Sequence, residues 1–481
     1  MGTHGTTRRD FLRAIGSGAA ALAVPRVMKG AKPRRAAGPQ APADKPNFIF
    51  ILTDDLGWGD PKCFGHPLMK TPNLDRLAKQ GTAFTQFYVN NPVCSPSRTA
   101  FMTGHFPARH GVHQHFASPK QNKARHMPNW LDAKVTTVTG LLKRAGYATG
   151  HFGKWHLCGG WSKDAPAPSA YGIDDHRTCN SSGPGWAIGK DPYFRAHSTG
   201  LFVDETLRFI KACKGKPFYV NLWTLVPHAL LKPTPEELKV YEDLKADPSQ
   251  FSGYMAQYAR QAKNLGAQAK VYCAAVTGMD KAVGRLLDEL DKLGLGDNTL
   301  IFFASDNGPE DYHVRNAANA GMGSPGPFRG RKRSIYEGGV RTSCIVRWPG
   351  RVKAGQVDRE SVVTAVDWLP TVCKLAGVAV PDIKPDGEDV SDILLGGARP
   401  RRKPILWEWR GGVAGNLTYR PPRLAIRDGK WKLLVNPDGS RKELYDIPAD
   451  GEERRNLART HPDTVARLAG QVLAWHKTLP K

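Results

Sequence analysis

The chain has 481 residues, 40% hydrophobic and 23% charged, a balance that excludes a disordered or fibrous protein and leaves room for one large domain plus a smaller one. Its formal net charge is +25; residues 1–43 hold eight Lys/Arg against one acid, so +7 of it sits there and +18 on the remainder. Such a surface concentrates polyanions, whether nucleic acid, anionic membrane or sulfated polysaccharide, but no nucleic-acid motif accompanies it, and the eight scattered cysteines form neither a zinc ribbon, a C-x-x-C pair nor a disulfide framework.

Residues 1–43 read as an address. Thr7-Arg8-Arg9-Asp10-Phe11-Leu12-Arg13 precedes a weakly apolar stretch at 14–24, and that order resembles a bacterial twin-arginine signal. The stretch is too short and too rich in Gly and Ala to span a bilayer, which takes roughly 20 predominantly apolar residues. Ala21-Leu22-Ala23 and Ala41-Pro42-Ala43 both offer a small-x-small cleavage site, and we place the mature start near Asp44. No later stretch is apolar enough to cross a membrane. The expectation is therefore a periplasmic or secreted protein without a transmembrane segment, whose partners include the twin-arginine export machinery.

The run 47–53 (NFIFILT) is continuous and apolar, the pattern of a strand buried on both faces, and it ends in Asp54-Asp55. Helical periodicity follows at 71–81, with Leu74, Leu77 and Ala78 on one face, and at 136–146, with Val138, Leu141, Leu142 and Ala145; each stops at a glycine. Further strands are predicted at 217–224, 299–305 and 344–348, with a long amphipathic helix at about 271–293. Strands alternating with helices imply an α/β sheet whose functional groups gather at the carboxyl ends of strands, where Asp54-Asp55 and Asp306-Asn307 stand. From about Asp382 the character changes: 404–409, 422–427 and 431–435 read as antiparallel strands and 463–478 as a closing helix. The predicted organisation is a signal and linker at 1–43, a catalytic domain at 44–381 and a smaller α+β subdomain at 382–481.

Asp54, Asp55, Asp306 and Asn307 offer only oxygen, the ligand type of a hard cation such as Ca²⁺ or Mg²⁺. A single Asp after a strand more often caps the following helix, but two strand ends supplying four such groups weaken that reading. The segment Cys94-Ser95-Pro96-Ser97-Arg98-Thr99-Ala100-Phe101-Met102-Thr103-Gly104 contains the C-x-P-S-R pattern, with its trailing T-x-x-x-T-G, of the type I (formylglycine-dependent) sulfatases. The chain resembles that family at further points in order. Asp54-Asp55-Leu56-Gly57-Trp58-Gly59-Asp60 is similar to its first metal motif, and Gly146–Gly150 leading to Gly153-Lys154-Trp155-His156-Leu157 to its second signature. Pro227-His228, Ser305-Asp306-Asn307-Gly308-Pro309, the lysine segment at 330–341 with Lys332, and Glu443-Leu444-Tyr445-Asp446 follow. The resemblance runs from about 46 to 460. Cys158 departs from it, standing where the family usually shows glycine.

The resemblance implies an alkaline phosphatase-like fold, a mixed sheet sandwiched by helices, and a sulfuric ester hydrolase. Cys94 would be oxidised to formylglycine by a maturation enzyme and join Asp54, Asp55, Asp306 and Asn307 around the metal, with calcium favoured over magnesium. A thiolate would hold transferred sulfate with no easy release; an aldehyde hydrate has two hydroxyls on one carbon, one to attack sulfur and one to expel sulfate. By the same resemblance Arg98 and His156 hold the formylglycine hydroxyls, Lys154, Lys332, His228 and the metal surround the sulfate, and Asp306 accepts the attacking proton. Whether His228 or Lys332 protonates the leaving oxygen stays open. Trp161, His176, Arg177, Trp186 and Arg195 in the loop 155–195, with His110, His113 and His115, suit sugar stacking and anionic groups, so a sulfated carbohydrate is the expected substrate. Two other readings stand beside it: a phosphomonoester or phosphonate hydrolase of the same superfamily, which Ser or Thr at position 94 would favour, and a non-catalytic polyanion-binding protein.

Overall fold

An unbroken apolar strand can be satisfied only at the centre of a sheet covered on both sides, and the first run of the mature chain takes that place. The computed structural model describes residues 45–159, 162, 164–181, 191–311, 318–412 and 420–480. The expected signal and cleavage site, with Trp161 and Trp186, lie outside the described residues. Residues 45–481 form one compact unit.

Nine strands make the main sheet: β1 (Asn47–Asp54), β2 (Thr82–Tyr88), β3 (Ala148–Lys154), β4 (Asp175–Cys179), β5 (Phe218–Pro227), β6 (Thr299–Ser305), β7 (Arg341–Arg347), β8 (Gln356–Asp358) and β9 (Val363–Thr364). Their order is β4-β3-β5-β1-β6-β7-β2-β8, with β9 also pairing β2. From β4 to β6 all neighbours are parallel, and β7 pairs antiparallel with both β6 and β2. Every residue of β1 is buried.

On one face Phe50 meets Phe101 of the helix Cys94–Thr103 at 4.7 Å between ring centres and Trp368 of the helix Trp368–Leu375 at 5.1 Å. On the other, Phe152 packs on Phe209 of the helix Phe194–Ala212, and Thr224 meets Met279 of the long helix Leu265–Lys292. Burying an aromatic or large aliphatic side chain stabilises by about 1.5–3 kcal/mol, so this double cover fixes the register of β1 and hence the height of Asp54 and Asp55.

The predicted helices appear at Pro72–Lys79, Val138–Arg144 and Leu265–Lys292, and the predicted strands within a residue or a few of their expected ends. Near the C-terminus β10 (Ile405–Glu408), β11 (Leu424–Asp428), β12 (Trp431–Val435) and β13 (Glu443–Asp446) form a separate antiparallel sheet in sequence order, followed by the helix Pro462–Lys477. It docks on the main sheet through polar anchors: Trp407 Nε1 donates to Val89 O at 2.7 Å, Arg427 reaches Gln86 and Tyr88, and Lys432 sits between Glu337 and Glu453. All eight cysteines are unpaired. No helix among the described residues is long and apolar enough to cross a membrane.

Candidate active site

Because β1, β3, β5 and β6 run parallel, their carboxyl ends share one edge of the sheet. That edge receives Asp54 and Asp55 after β1, Lys154 at the end of β3, His228 after β5, and Asp306 and Asn307 after β6. Cys94 opens a helix in which every residue is buried. The loop before β7 brings Lys332 to the same place.

The carboxylate oxygens of Asp54 and Asp306 and the Cys94 sulfur lie within 4.8 Å of one another, as do donor atoms of Asp54, Asp55 and His228. Lys154 Nζ donates to Asp54 Oδ2 at 2.6 Å, and Lys332 Nζ to Asp55 Oδ2 at 2.6 Å. Arg98 donates to Asp306 Oδ2 from Nη2 (2.6 Å) and Nε (3.1 Å), and from Nη1 to Lys154 O (2.9 Å). Its guanidinium lies 5.0 Å from the Trp223 ring centre. His228 Nε2 is 3.8 Å from Asp55 Oδ2. The structure thus brings Asp54, Asp55, Cys94, Arg98, Lys154, His228, Asp306, Asn307 and Lys332 to one place.

His156 Nε2 donates to Phe116 O at 3.1 Å, which leaves Nδ1, buried and unpartnered, as an acceptor. Asp55 (φ 70°), His156 (φ 53°) and Arg333 (φ 70°) all adopt left-handed backbone, the sort of strain that gathers at functional sites. Gly153 has φ 116°, and a Cβ there would meet Trp223 O at 1.8 Å, so only glycine can precede Lys154. Cys158, the departure from the family pattern, forms an isolated antiparallel bridge with Trp130.

Burial alone would raise the Asp54 carboxyl, but Lys154, His228, Arg98 and Lys332 outweigh it and hold the group well below the ordinary range. Burial, and then the charge of Asp54, push Asp306 up to about 7. Burial also raises the Cys94 thiol, against Lys154 and Lys332, so an unmodified Cys94 is protonated and a weak nucleophile. Burial would lower Lys332, but Asp55 and Glu310 more than offset it.

Asp54 Oδ1 and Asn307 Oδ1 are buried without a hydrogen-bond partner, and Arg98 Nη2 stands 3.8 Å from the former. Unsatisfied buried oxygens call for a missing partner, and together with Asp55 and Asp306 they are the donors of a hard cation. The residues present therefore fit a divalent metal.

Two of the described residues expected to grip the rest of the substrate sense these charges. Arg195 feels Asp54 and Asp55, and His115, whose ring centre is 6.3 Å from that of His156, feels Lys332, Arg333 and Lys154. Arg177 instead lies 3.8 Å from Glu205, His110 stacks on His105, and His113 contacts Glu408 at 2.6 Å. Two residues of the site escaped the sequence reading. Glu310 lies 3.5 Å from Lys332 Nζ, and Arg333 pairs with Glu310 through both guanidinium nitrogens. Glu310 directly follows the motif 305–309 and Arg333 lies inside the lysine segment 330–341, which is the signal they carry.

Residues 46–378 match the Sulfatase family, and residues 328–474 match the family described as N-sulphoglucosamine sulphohydrolase, C-terminal. Arylsulfatase A of Homo sapiens is 32% identical over 424 residues, covering 83% of this chain and 76% of that protein. The N-acetylgalactosamine-6-O-sulfatase of Bacteroides thetaiotaomicron is 27% identical over 509 residues, covering 89% of this chain and 92% of that protein. The crystal structure of Ps i-CgsB in complex with k-i-k-neocarrahexaose superposes with a TM-score of 0.72 at 25% identity, covering 91% of this chain and 94% of that one. The alkaline phosphatase-like architecture expected from the motifs is the one found.

Proposed function

The chain belongs to the sulfatase family and is a sulfuric ester hydrolase, and on that premise we propose that it removes sulfate from a carbohydrate through formylglycine made from Cys94, beside a bound calcium ion. The observation that carries the reading is the convergence of Asp54, Asp306 and Cys94 within 4.8 Å, ringed by Arg98, Lys154 and Lys332. Asp54, Asp55, Asp306, Asn307 and the oxidised Cys94 would hold the cation, which supplies positive charge to the sulfate oxygens. Formylglycine supplies a hydrate with two hydroxyls, one to attack sulfur and the other to release sulfate.

The chain's own residues do the rest. His156, with Nδ1 as an acceptor, and Arg98 orient the hydroxyls. Asp306, held by two hydrogen bonds from Arg98, takes the attacking proton. Lys154 and Lys332 are fixed cations on the sulfate oxygens. Lys332 is a poor acid because Asp55 and Glu310 hold its ammonium. His228, 20% exposed beside it, is the other candidate donor, and burial lowers it below its ordinary value while its Nδ1 donates to Ala229 O at 2.8 Å.

The carbohydrate reading draws on the relative named N-acetylgalactosamine-6-O-sulfatase and on the neighbour solved in complex with k-i-k-neocarrahexaose. Residues 1–43 serve as the twin-arginine leader, and a formylglycine-generating enzyme is the required partner before folding closes the buried helix start.

Mass spectrometry of the peptide spanning residues 90–100 from active enzyme is expected to show formylglycine at position 94, and Cys94→Ala to keep the fold while losing turnover. An unmodified thiol throughout a fully active preparation would refute the mechanism. Chelation is expected to abolish turnover and lower the unfolding temperature, with Ca²⁺ restoring both; an ion at 100 times its Kd stabilises by about 2.7 kcal/mol. Activity and melting that ignore both chelator and Ca²⁺ would remove the calcium assignment.

A further inference from the structure

We propose that Arg333 is a specificity-determining residue that reads a second anionic group, a carboxylate or another sulfate, on the saccharide carrying the scissile sulfate ester. The inference deepens the carbohydrate reading and rests on it.

Position comes first. Most of the reactive cluster is sealed: the side chains of Arg98, Asp54, Lys154 and Asp306 are 0% exposed and that of Lys332 4%. Among the described residues, partly open side chains beside it include His228 at 20% and Arg333 at 23%, with Arg195 and His115 half-buried as well. Arg333 is thus one of the described groups at which the cluster meets solvent. Arg333 is close enough to the reacting centre to feel the charges of Asp55 and Cys94.

Its conformation comes second. Arg333 has φ 70°, a region that residues with a side chain rarely adopt, and Arg is not among the types that tolerate it best. The turn is held by its own N–H, which donates to Pro92 O at 2.9 Å, two residues before Cys94. Glycine would take this backbone without strain. An arginine here implies a use for its side chain.

The third point is chemistry. Glu310 accepts from Nη1 and Nη2 of Arg333 while lying 3.5 Å from Lys332 Nζ, so one carboxylate is shared by two cations. A guanidinium has five N–H donors in a planar fork, and these contacts take one edge of it. The remainder suits the bidentate pairing that carboxylates and sulfates offer. Glu310 aims the fork and keeps Lys332 and Arg333 together against their mutual repulsion.

The test uses mature, formylglycine-bearing enzyme as wild type, R333Q and R333G. Each is assayed on 4-nitrophenyl sulfate, on mono-sulfated neutral hexoses, on disulfated hexoses and on sulfated uronic acids. Wild type is expected to prefer at least one of the two doubly anionic classes, and the preferred class separates sulfate from carboxylate as the second group. Both variants are expected to lower kcat/KM on that class at least tenfold more than on 4-nitrophenyl sulfate, with the loss in KM. R333G is expected to fold, shown by a cooperative thermal transition, because glycine relieves the backbone.

Three outcomes overturn the proposal alone. Wild type turns over saccharide sulfates with no preference for the doubly anionic ones; the preference survives both substitutions; or both variants lose activity equally on all substrates. A wild type active on 4-nitrophenyl sulfate but on no saccharide sulfate overturns the carbohydrate reading and takes the proposal with it.

Discussion

Arg98 illustrates how much of this site hangs on single side chains. It is wholly buried, donates twice to Asp306 and once to Lys154 O, and lies across Trp223. Asp306 already sits at about 7 because burial and Asp54 oppose its charge. Removing the guanidinium leaves two neighbouring buried carboxylates without their cation. Breaking a buried pair in this way costs about 3–5 kcal/mol. Arg98→Ala is expected to lose that much in urea unfolding under chelating conditions, where no cation can compensate, and Arg98→Lys to recover little, since an ammonium cannot serve both acceptors from one position. A loss below about 1 kcal/mol would contradict the buried-pair account. The sequence announced Arg98 and the other residues of the cradle because each lies in a motif whose spacing the chemistry demands. The roles of Glu310 and of Arg333, although the latter lies inside the lysine segment, were not legible because a charged residue in a loop looks the same whether it is solvated or folded back into a cleft. Trp223 was read only as part of a strand; its task depends on β5 lying beside β3, a long-range pairing no local pattern encodes.

At the level of elements, the C-terminal sheet is tied to the main sheet by a buried ion cluster. Lys432 Nζ stands 2.9 Å from Glu337 Oε1 and 3.0 Å from Glu453 Oε1, and Glu453 Oε2 accepts from the Glu337 N–H at 2.6 Å. Burial pushes Glu453 up to about 7, opposed by Lys432 and helped by Glu337, while Glu337 is carried down to about 2 because Lys432, Arg341 and Arg427 outweigh its burial. The two have opposite consequences for stability. Glu453 keeps a proton in the folded state that the unfolded chain, with an ordinary value of 4.5, has released; its contribution is full below 4.5 and is lost as pH rises through about 7. That of Glu337 is full above 4.5 and is lost only as pH falls through about 2. Glu453→Gln is therefore expected to flatten the fall in stability between pH 5 and 7 relative to wild type, and to stabilise at pH 8 by on the order of 1–3 kcal/mol. Parallel pH-dependent unfolding curves for the two proteins would sink this assignment. Elements with an apolar run, such as β1, β6 and β12, were legible in the sequence almost to their ends, and the helix Leu265–Lys292 from its second turn onward. β3 was not, because its ATGHFGK carries two glycines and no apolar run; it is a strand because close approach to β5 needs small residues. The helix Phe194–Ala212 was missed for a different reason: its Phe, His and Thr residues dilute the period, and packing between β3 and the helix Leu265–Lys292 holds it.

For the molecule as a whole, the +18 outside residues 1–43 is a property of the surface field rather than of the sealed cradle, where Asp54, Asp55 and Asp306 are matched by Arg98, Lys154 and Lys332. The two respond differently to salt. Charges on an exposed surface act over a Debye length, about 10 Å at 0.1 M and about 3 Å at 1 M ionic strength, whereas buried pairs are screened little. A small aryl sulfate carries one charge and gains little from long-range attraction. A sulfated polysaccharide presents many charges at once, so its local concentration at a strongly basic surface rises and falls with the field. Raising NaCl from about 0.05 to about 0.5 M is thus expected to lower kcat/KM on a sulfated polysaccharide about tenfold or more, mainly through KM, and on 4-nitrophenyl sulfate no more than about threefold. Steady-state rates on both substrates across that salt range provide the check. Equal slopes would mean that the surplus charge serves solubility, and that recognition of the polymer is confined to the mouth of the site.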